Sequence, residues 1–292
     1  MNFILLDDAV LRFEGKDCIN FLQKTLSNDL KLLNKTQGLP SFFLNAKGKW
    51  IASLYLFQID DFIFAKTSRK EAENLLQAIQ PLILFSDSQV KDLSQDFQWI
   101  LGVGPDISAW AEKKHSLPTF PYNELRLPAC LMLCPRKDAQ AWLVNQTKAP
   151  LQPEAFEELR IESGLPIYGV DVDEKTIPLE AGMDDYFSYT KGCYVGQETI
   201  SRIKHYGKVN KKLVKLKIPP EAPFYKRGER GNFGVLPIFL NEKEVGKLSS
   251  LCYSPFYSAP IGLAILNQEA TTPGTVVTLK TPEGDISAQV IE

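Results

Sequence analysis

The stretch of the chain richest in chemistry is Lys191-Gly-Cys-Tyr-Val-Gly-Gln-Glu198, where a thiol lies between two glycines and two residues from an ammonium. Glycines at 192 and 196 let the backbone approach a ligand or take positive φ. A neighbouring ammonium favours the thiolate over the thiol. These residue types fit a ligand-facing loop with a reactive Cys193. They also fit a small apolar side chain packed in a core, the usual place of a lone cysteine. The octapeptide stands on a charge seam: Leu151 to Glu198 holds eleven Asp/Glu against three Lys/Arg, whereas Thr199 to Lys217 holds seven Lys/Arg and no acid. That basic stretch (Arg202, Lys204, Lys208, Lys211, Lys212, Lys215, Lys217) reads either as a solvated face or as a patch for phosphate or RNA.

Other constellations lack the parts their chemistry needs. The five cysteines at 18, 130, 134, 193 and 252 form no CxxC, and His115 and His205 are the only histidines, which argues against a Cys/His zinc site. Cys130 and Cys134 share an apolar strand face at even spacing, as core residues do. Gly102-Val-Gly104 lacks the third glycine of a dinucleotide fingerprint. There is no G-x-S-x-G elbow and no Walker loop. Nothing fixes Cys193 against His205 as nucleophile and base.

The elements that must position these residues follow from spacing. A strand is expected at Val10–Phe13, then a helix with Asp17 capping its first turn and Ile19, Leu22 and Leu26 on its apolar side. Ser41–Leu44 and Trp50–Gln58 read as a hairpin around Asn45-Ala-Lys-Gly48, followed by a strand at Phe62–Lys66. Ser68-Arg-Lys-Glu71 reads as a capping box, with Pro81 ending the helix it opens. Strands are expected at Ser88–Leu93, Gln98–Val103 and Ala129–Cys134, with a short helix near Ile107–Lys113. Pro153 and Gly164 bracket another helix. Residues 165 to 207 show little periodicity. Five short strands between Leu213 and Leu279 then suggest a small barrel or sandwich.

A length of 292 residues suggests about two domains of ~150 residues each. With 44% hydrophobic and 23% charged residues, collagen-like, coiled-coil and wholly disordered chains are excluded. A net charge of −2 argues against the whole molecule being an electrostatic nucleic-acid binder. The N-terminus has no basic start and no apolar run reaches ~18 residues, so the expectation is a cytoplasmic, soluble protein with no signal peptide or membrane span.

Lys191-Gly-Cys-Tyr-Val-Gly-Gln-Glu198, followed by Arg202 and Gly207-Lys-Val-Asn-Lys211, resembles the K-G-C-[FY]-x-G-Q-E signature of the YgfZ/GcvT-like folate-binding family. This family is related to the aminomethyltransferase (T-protein) of the glycine cleavage system. Arg160-Ile-Glu-Ser-Gly-Leu-Pro-Ile-Tyr-Gly169 is similar to its R-x-E-x-G-x-P-x-x-G segment, and Ile177-Pro178 with Glu180-Ala-Gly182 to its I-P-x-E-A-G element. Phe21-Leu22, Ser27-Asn28-Asp29 and Asn45-Ala-Lys-Gly48 follow the family order, as do Gly246-Lys-Leu-Ser-Ser250, Ser254-Pro255 and Pro260-Ile-Gly-Leu-Ala264.

The resemblance implies an α+β, three-lobed GcvT-like fold around a folate-binding opening, with a ferredoxin-like inserted domain and a C-terminal β-barrel. The implied folate-binding region is 1–207, made of a first α+β domain (1–45 with 151–207) and the insertion 46–150, followed by the barrel at 208–292. It also implies tetrahydrofolate or a derivative as cofactor. Glu162 matches the glutamate that holds the pterin, and Asn28, Lys191 and Gln197 are further candidates for the same cavity. True aminomethyltransferases carry an Asp-Asp pair after the Asn-x-x-Gly turn, whereas this chain has Ala52-Ser53 there. With that pair absent and the cysteine-bearing signature as the distinctive feature, the resemblance implies a folate-binding accessory role in iron–sulfur cluster assembly or maintenance, without conventional turnover, supporting iron–sulfur enzymes such as those of tRNA thiomethylation. Iron–sulfur proteins or assembly factors are the implied partners. Cys193 is the functional thiol or one transient cluster ligand, since a cluster normally takes four thiolates. The alternative is a tetrahydrofolate-dependent aminomethyltransferase, and direct RNA contact through 199–217 is a third reading.

Overall fold

The structure, a computed structural model, describes residues 1–113, 115–146, 150–207, 209–222 and 235–292. In chain order it contains β1 (Asn2–Leu5), β2 (Ala9–Glu14), α1 (Cys18–Thr25), β3 (Leu39–Leu44), β4 (Trp50–Ile59), β5 (Phe62–Thr67) and α2 (Arg69–Ile83). Next come β6 (Gln89–Asp92), β7 (Phe97–Val103), α3 (Ile107–Ala111), β8 (Thr119–Tyr122), β9 (Ala129–Pro135) and α4 (Arg136–Val144). The last third holds α5 (Pro153–Ser163), α6 (Gln197–Tyr206), β10 (Lys211–Lys217), β11 (Leu236–Leu240), β12 (Lys243–Ser254), β13 (Ala259–Asn267), β14 (Val276–Thr281) and β15 (Gly284–Ile291). The fold is α+β, and the chain divides by internal contacts into 1–151 with 183–205 and 152–182 with 206–292. No helix among the described residues is long and apolar enough to cross a membrane.

In the first unit, five antiparallel strands in the order β3-β4-β5-β2-β6 form one sheet, and four in the order β1-β7-β9-β8 form another. The β3–β4 hairpin crosses residue 45 as the Asn45-Ala-Lys-Gly48 turn requires. One face of the five-stranded sheet packs Leu11, Phe13, Leu54 and Leu56 against Ala72, Leu75 and Ile79 of α2. On its other face the Phe57 ring lies 5.0 Å from Trp99 and 4.6 Å from Phe120, joining it to the four-stranded sheet.

Several local expectations give way to longer-range partners. The Asp17 carboxylate does not cap α1; it accepts the amide of Asp87 at 3.1 Å. The buried side of α1 is Cys18, Phe21, Leu22 and Thr25, leaving Ile19 exposed. Pro81 lies inside α2 rather than ending it. It falls two residues before the helix stops, where a missing N–H removes one bond and little more. Ser68 caps α2 by accepting the Glu71 amide at 3.3 Å, but the Glu71 carboxylate does not close a capping box. Instead Oε1 accepts from Trp50 Nε1, the Ser53 amide and Ser53 Oγ, each at 2.7 Å, and Oε2 accepts from Ser68 Oγ at 2.7 Å.

In the second unit the strands β10-β13-β12-β11-β14-β15 close into a six-stranded barrel. Its interior is filled by Leu216, Ile238, Leu248, Ala264, Leu266 and Leu279, all fully buried. Gly246 permits the β12–β13 approach, since a Cβ there would fall 2.1 Å from the Ile265 carbonyl oxygen. Outside the barrel, Ile161 of α5 packs with Cys252, Ile261 and Leu263. Gly164 ends α5 in the left-handed region at φ 72°, as its position after the helix foretold.

Candidate functional site

In the first unit the Cys193 octapeptide is anchored on both sides of the thiol. Lys191 is 8% exposed, and its Nζ donates to the carbonyl oxygens of Leu26 at 2.7 Å and Asn28 at 2.8 Å. The ammonium also stands 5.3 Å from the centre of the buried Tyr194 ring. These contacts hold the 26–28 turn, so the ammonium is committed to backbone oxygens. Cys193 itself is exposed, whereas Cys18, Cys130, Cys134 and Cys252 are buried, and all five are free thiols. Burial pushes the Cys18 thiol up to about 11 and those of Cys130 and Cys252 up to about 12, which keeps them protonated and unreactive.

Two motif segments far apart in sequence meet just beyond the thiol. Gly196 takes φ 82°, and a Cβ there would lie 2.6 Å from the Asn45 carbonyl oxygen and 3.1 Å from the Gly48 Cα. Gln197 opens α6 directly after this contact, with its side chain partly exposed. Ser27 and Asn28 tie β3 to the 183–191 segment. Ser27 Oγ donates to the Tyr186 carbonyl at 2.6 Å and accepts the Phe42 amide at 2.8 Å. Asn28 Nδ2 donates to the carbonyls of Pro40 at 2.8 Å and Asp185 at 3.0 Å. Asn28, Lys191, Cys193 and Gln197 thus belong to one unit, the first two joined directly through the Lys191–Asn28 bond.

The desolvation of Lys191 gives a pH signature. Burial lowers its pKa from 10.5 to about 8. Between those values the unfolded chain holds a proton that the folded chain has released, so this residue makes stability rise as pH increases from about 8 to 10.5. Urea midpoints of wild type and Lys191→Met should therefore shift in favour of wild type as pH goes from 7 to 10. A gap between the two that stays constant with pH would refute it.

The basic stretch divides among different tasks. Lys204 pairs with Asp184 at 2.8 Å and lies over the Tyr189 ring at 4.9 Å. Lys215 donates to the Glu162 carbonyl at 3.3 Å, placing a cation at the C-terminal end of α5 where the helix dipole favours it. Lys211, Lys212 and Lys217 are exposed on β10, and Lys208 lies outside the described residues.

In the second unit Glu162 stands in the last turn of α5, partly buried. Its Oε1 accepts the hydroxyl proton of Ser254, the fully buried last residue of β12. Two residues before Glu162, Arg160 donates to the carboxylates of Glu157 and Asp171, to the Leu165 carbonyl at 2.6 Å and to Ser250 Oγ at 2.7 Å. Asp171 also accepts from Ser249 and Ser250, each at 2.6 Å. The R-x-E and Gly246–Ser250 motifs therefore meet, with Arg160 and the two serines as the lock and Glu162 left beside it. Glu180 serves its own turn by accepting the Ile177 amide at 2.9 Å. The sequence reading named Ser254-Pro255 as a barrel mark but gave Ser254 no role. The separation from Glu162, 92 residues, hides the contact from any local pattern.

Among the described residues no group of three or more His, Cys, Asp or Glu could hold a metal ion. At the position of the absent Asp-Asp pair, Ala52 is fully buried, and the Ser53 amide and hydroxyl both donate to Glu71. A carboxylate at 53 would face the buried Glu71 carboxylate and repel it.

A family model described as the glycine cleavage T-protein C-terminal barrel domain matches residues 211–292, the span of the closed barrel. A chloroplastic protein of Arabidopsis thaliana, provisionally named a transferase, is 24% identical over 92% of this chain and 66% of its own length. A tRNA-modifying protein YgfZ of Blochmanniella pennsylvanica is 27% identical over 74% of this chain and 71% of its own. Aminomethyltransferases are among the further relatives. The chain thus spans about two thirds of the length of the Arabidopsis relative. The crystal structure of the glycine cleavage system aminomethyltransferase T of Bartonella henselae superposes with a TM-score of 0.82 at 19% identity, covering 100% of this chain and 85% of that one. The fold is therefore the GcvT-like fold over the whole chain.

Proposed function

The chain being YgfZ/GcvT-like, we propose that it is a folate-binding accessory protein of iron–sulfur cluster assembly or maintenance, acting in the cytoplasm and supporting iron–sulfur enzymes such as those of tRNA thiomethylation. The observation that carries this reading is the presentation of Cys193. It is the exposed thiol of the five, on a loop pinned by the buried Lys191 and Tyr194. Such a thiol is available to a partner, and as one ligand it would share a cluster with thiolates supplied from elsewhere. Iron–sulfur proteins or assembly factors are then the partners.

Tetrahydrofolate or a derivative is the cofactor of this reading. A pterin presents paired N–H donors, and Glu162 fits it: Ser254 holds one carboxylate oxygen and the other has no hydrogen bond among the described residues. Gln197, at the start of α6, is a further candidate of this reading. Asn28 and Lys191 would contribute by holding the 26–28 turn. Bound tetrahydrofolate would supply one-carbon chemistry at its ring nitrogens. The same reading divides the chain into the lobes 1–45 with 151–207, 46–150 and 208–292.

An aminomethyltransferase is the second reading, favoured by the relatives of that name. Against it stands the Ser53–Glu71 pairing where those enzymes carry their acids. The discriminating experiment has two arms. Anaerobic calorimetry with tetrahydrofolate should give binding that Glu162→Ala weakens about tenfold or more, the scale of a lost charge-assisted hydrogen bond. In cells, Cys193→Ser should lower iron–sulfur enzyme activity with the fold intact. Turnover of an aminomethyl donor that survives Cys193→Ser would instead favour the transferase. Binding to RNA that falls steeply with salt would favour direct contact through 199–217.

A further inference from the structure

We propose that the turn between α2 and β6 is the centre of a symmetric contact with a second copy of this chain. An apolar run there keeps most of its side chains outside the core. Within Pro81-Leu-Ile-Leu-Phe85, Ile83 packs on the core of the first unit. Leu82, by contrast, is 39% exposed, Leu84 78% and Phe85 91%. Apolar side chains scattered singly over a surface are ordinary, but adjacent ones that make a patch mark an interface. The backbone beneath this patch is fastened at two points. The Ser86 amide and hydroxyl both donate to the Ile83 carbonyl, at 3.1 and 3.2 Å, closing the turn directly after Phe85. The Asp87 amide donates to the Asp17 carboxylate, and the Asp17 amide to the Asp87 carbonyl, each at 3.1 Å. The turn is thereby fixed on the start of α1, where Ile19, 58% exposed, lies in the first helical turn.

Area and charge together fit a second copy. An aromatic side chain covers roughly 150–250 Å² and an aliphatic one somewhat less, so Ile19, Leu82, Leu84 and Phe85 present on the order of 500 Å². Two such patches set face to face remove about 1,000 Å² of apolar surface from water, the area at which a specific protein contact becomes stable. A two-fold contact places the same surface on both sides, so its rim must complement itself. Lys16 and Asp87 are both exposed, and among the described residues neither side chain makes an ion pair. They lie on the two segments that the Asp17–Asp87 bonds join. A two-fold axis that passes between them sets Lys16 of each copy against Asp87 of the other. A partner with a rim of one sign would meet only one of the two charges. The contact is made by side chains and leaves the sheet edges unpaired.

Sedimentation equilibrium of the full chain, from micromolar to several hundred micromolar, tests this. The mass should rise from 32.8 kDa to twice that, with a dissociation constant in the tens of micromolar, as suits an area at the lower limit. Phe85→Glu should weaken association by about a hundredfold or more, because it sets two charges inside an apolar contact. Its urea midpoint at the lowest concentration should match wild type, since a side chain this exposed adds little to folding. Lys16→Glu and Asp87→Lys should each weaken association about threefold or more, and the two in one chain should restore it. A wild type that stays monomeric throughout overturns the proposal. So does a dimer that Phe85→Glu leaves intact, which would place the contact elsewhere on the chain. A double reversal that fails to restore association overturns the two-fold arrangement. If wild type is monomeric and Phe85→Glu lowers iron–sulfur enzyme activity in cells, the patch belongs to a different protein and the second copy is overturned.

Discussion

Replacing Arg160 with alanine is expected to cost about 3–5 kcal/mol of unfolding free energy, the range for breaking a buried ion pair from one side. The guanidinium is 3% exposed and the Asp171 side chain 0%, so neither charge has water to fall back on. Arg160 bridges α5 to β12 through Ser250 and to the 165–171 turn through Leu165 and Asp171. Its removal leaves Asp171 with the Ile167 amide and the Ser249 and Ser250 hydroxyls, none of which carries charge. With native stabilities of roughly 5–15 kcal/mol, the loss is large enough to lower the urea midpoint severely or abolish folding. Arg160→Lys should recover only part, because an ammonium cannot reproduce the planar fork that meets Glu157, Asp171 and Ser250 together. Arg160→Met combined with Asp171→Leu should be markedly milder than Arg160→Ala, because no charge is then left buried alone. Equilibrium urea denaturation of the three variants checks this. A double variant as damaging as the single would show that shape, not charge, governs the lock.

Glu71→Ala should be nearly as damaging, at about 3 kcal/mol or more, for a different reason. Its carboxylate, on a residue 4% exposed, gathers four donors from three places: the Trp50 indole, the Ser53 amide and hydroxyl, and the Ser68 hydroxyl. Truncation leaves buried donors on β4 without an acceptor and loosens the start of α2. Glu71→Gln retains an oxygen for Trp50 and Ser53 and lets the Ser68 hydroxyl turn to accept, so the expected loss is about 1–2 kcal/mol. Urea midpoints in the order wild type, Gln, Ala would bear this out; equal midpoints for Gln and Ala would place the whole effect in the charge.

How much of this was readable in the residues depends on how far each partner lies along the chain. The helix between Pro153 and Gly164 and the hairpin around Asn45–Gly48 carry their own start, stop and turn chemistry, and both form where expected. The barrel strands announce themselves by alternation, and β15, which the expected set of strands omits, carries it too, with Ile286, Ala288 and Val290 at every second place and Ala288 and Val290 buried. β1 is unreadable locally, since its pairing partner β7 lies almost a hundred residues on. α6 is short and mostly polar in sequence, with Ile200 buried and Ile203 partly buried one turn apart as its apolar signal. Asp17 and Glu71 were assigned to the helix starts beside them, and in both cases a donor from a distant strand or loop took the carboxylate. The candidate site follows the same rule. Glu162, Lys191 and Cys193 could be named from motif resemblance, but Ser254 on Glu162 and the Leu26 and Asn28 carbonyls on Lys191 are products of tertiary folding.

The contrast between the closed barrel and the open sheets bears on how the chain stays apart from its own copies. A barrel whose strands pair all the way round has no free row of amides and carbonyls to template another strand. The two sheets of the first unit end in four such rows, at β3, β6, β1 and β8. Two are blunted by composition: Pro121 interrupts β8, and β6 is short and carries Lys91 and Asp92. The other two meet chain that returns to them: the Ser27 amide donates to the Phe42 carbonyl of β3 at 2.9 Å while Ser27 Oγ accepts the Phe42 amide, and the Leu151 amide donates to the Phe3 carbonyl of β1 at 2.7 Å. Resistance to strand-mediated aggregation is thus built in by topology in one unit and edge by edge in the other, so substitutions at Pro121 or Lys91 bear on solubility even where they leave the core untouched.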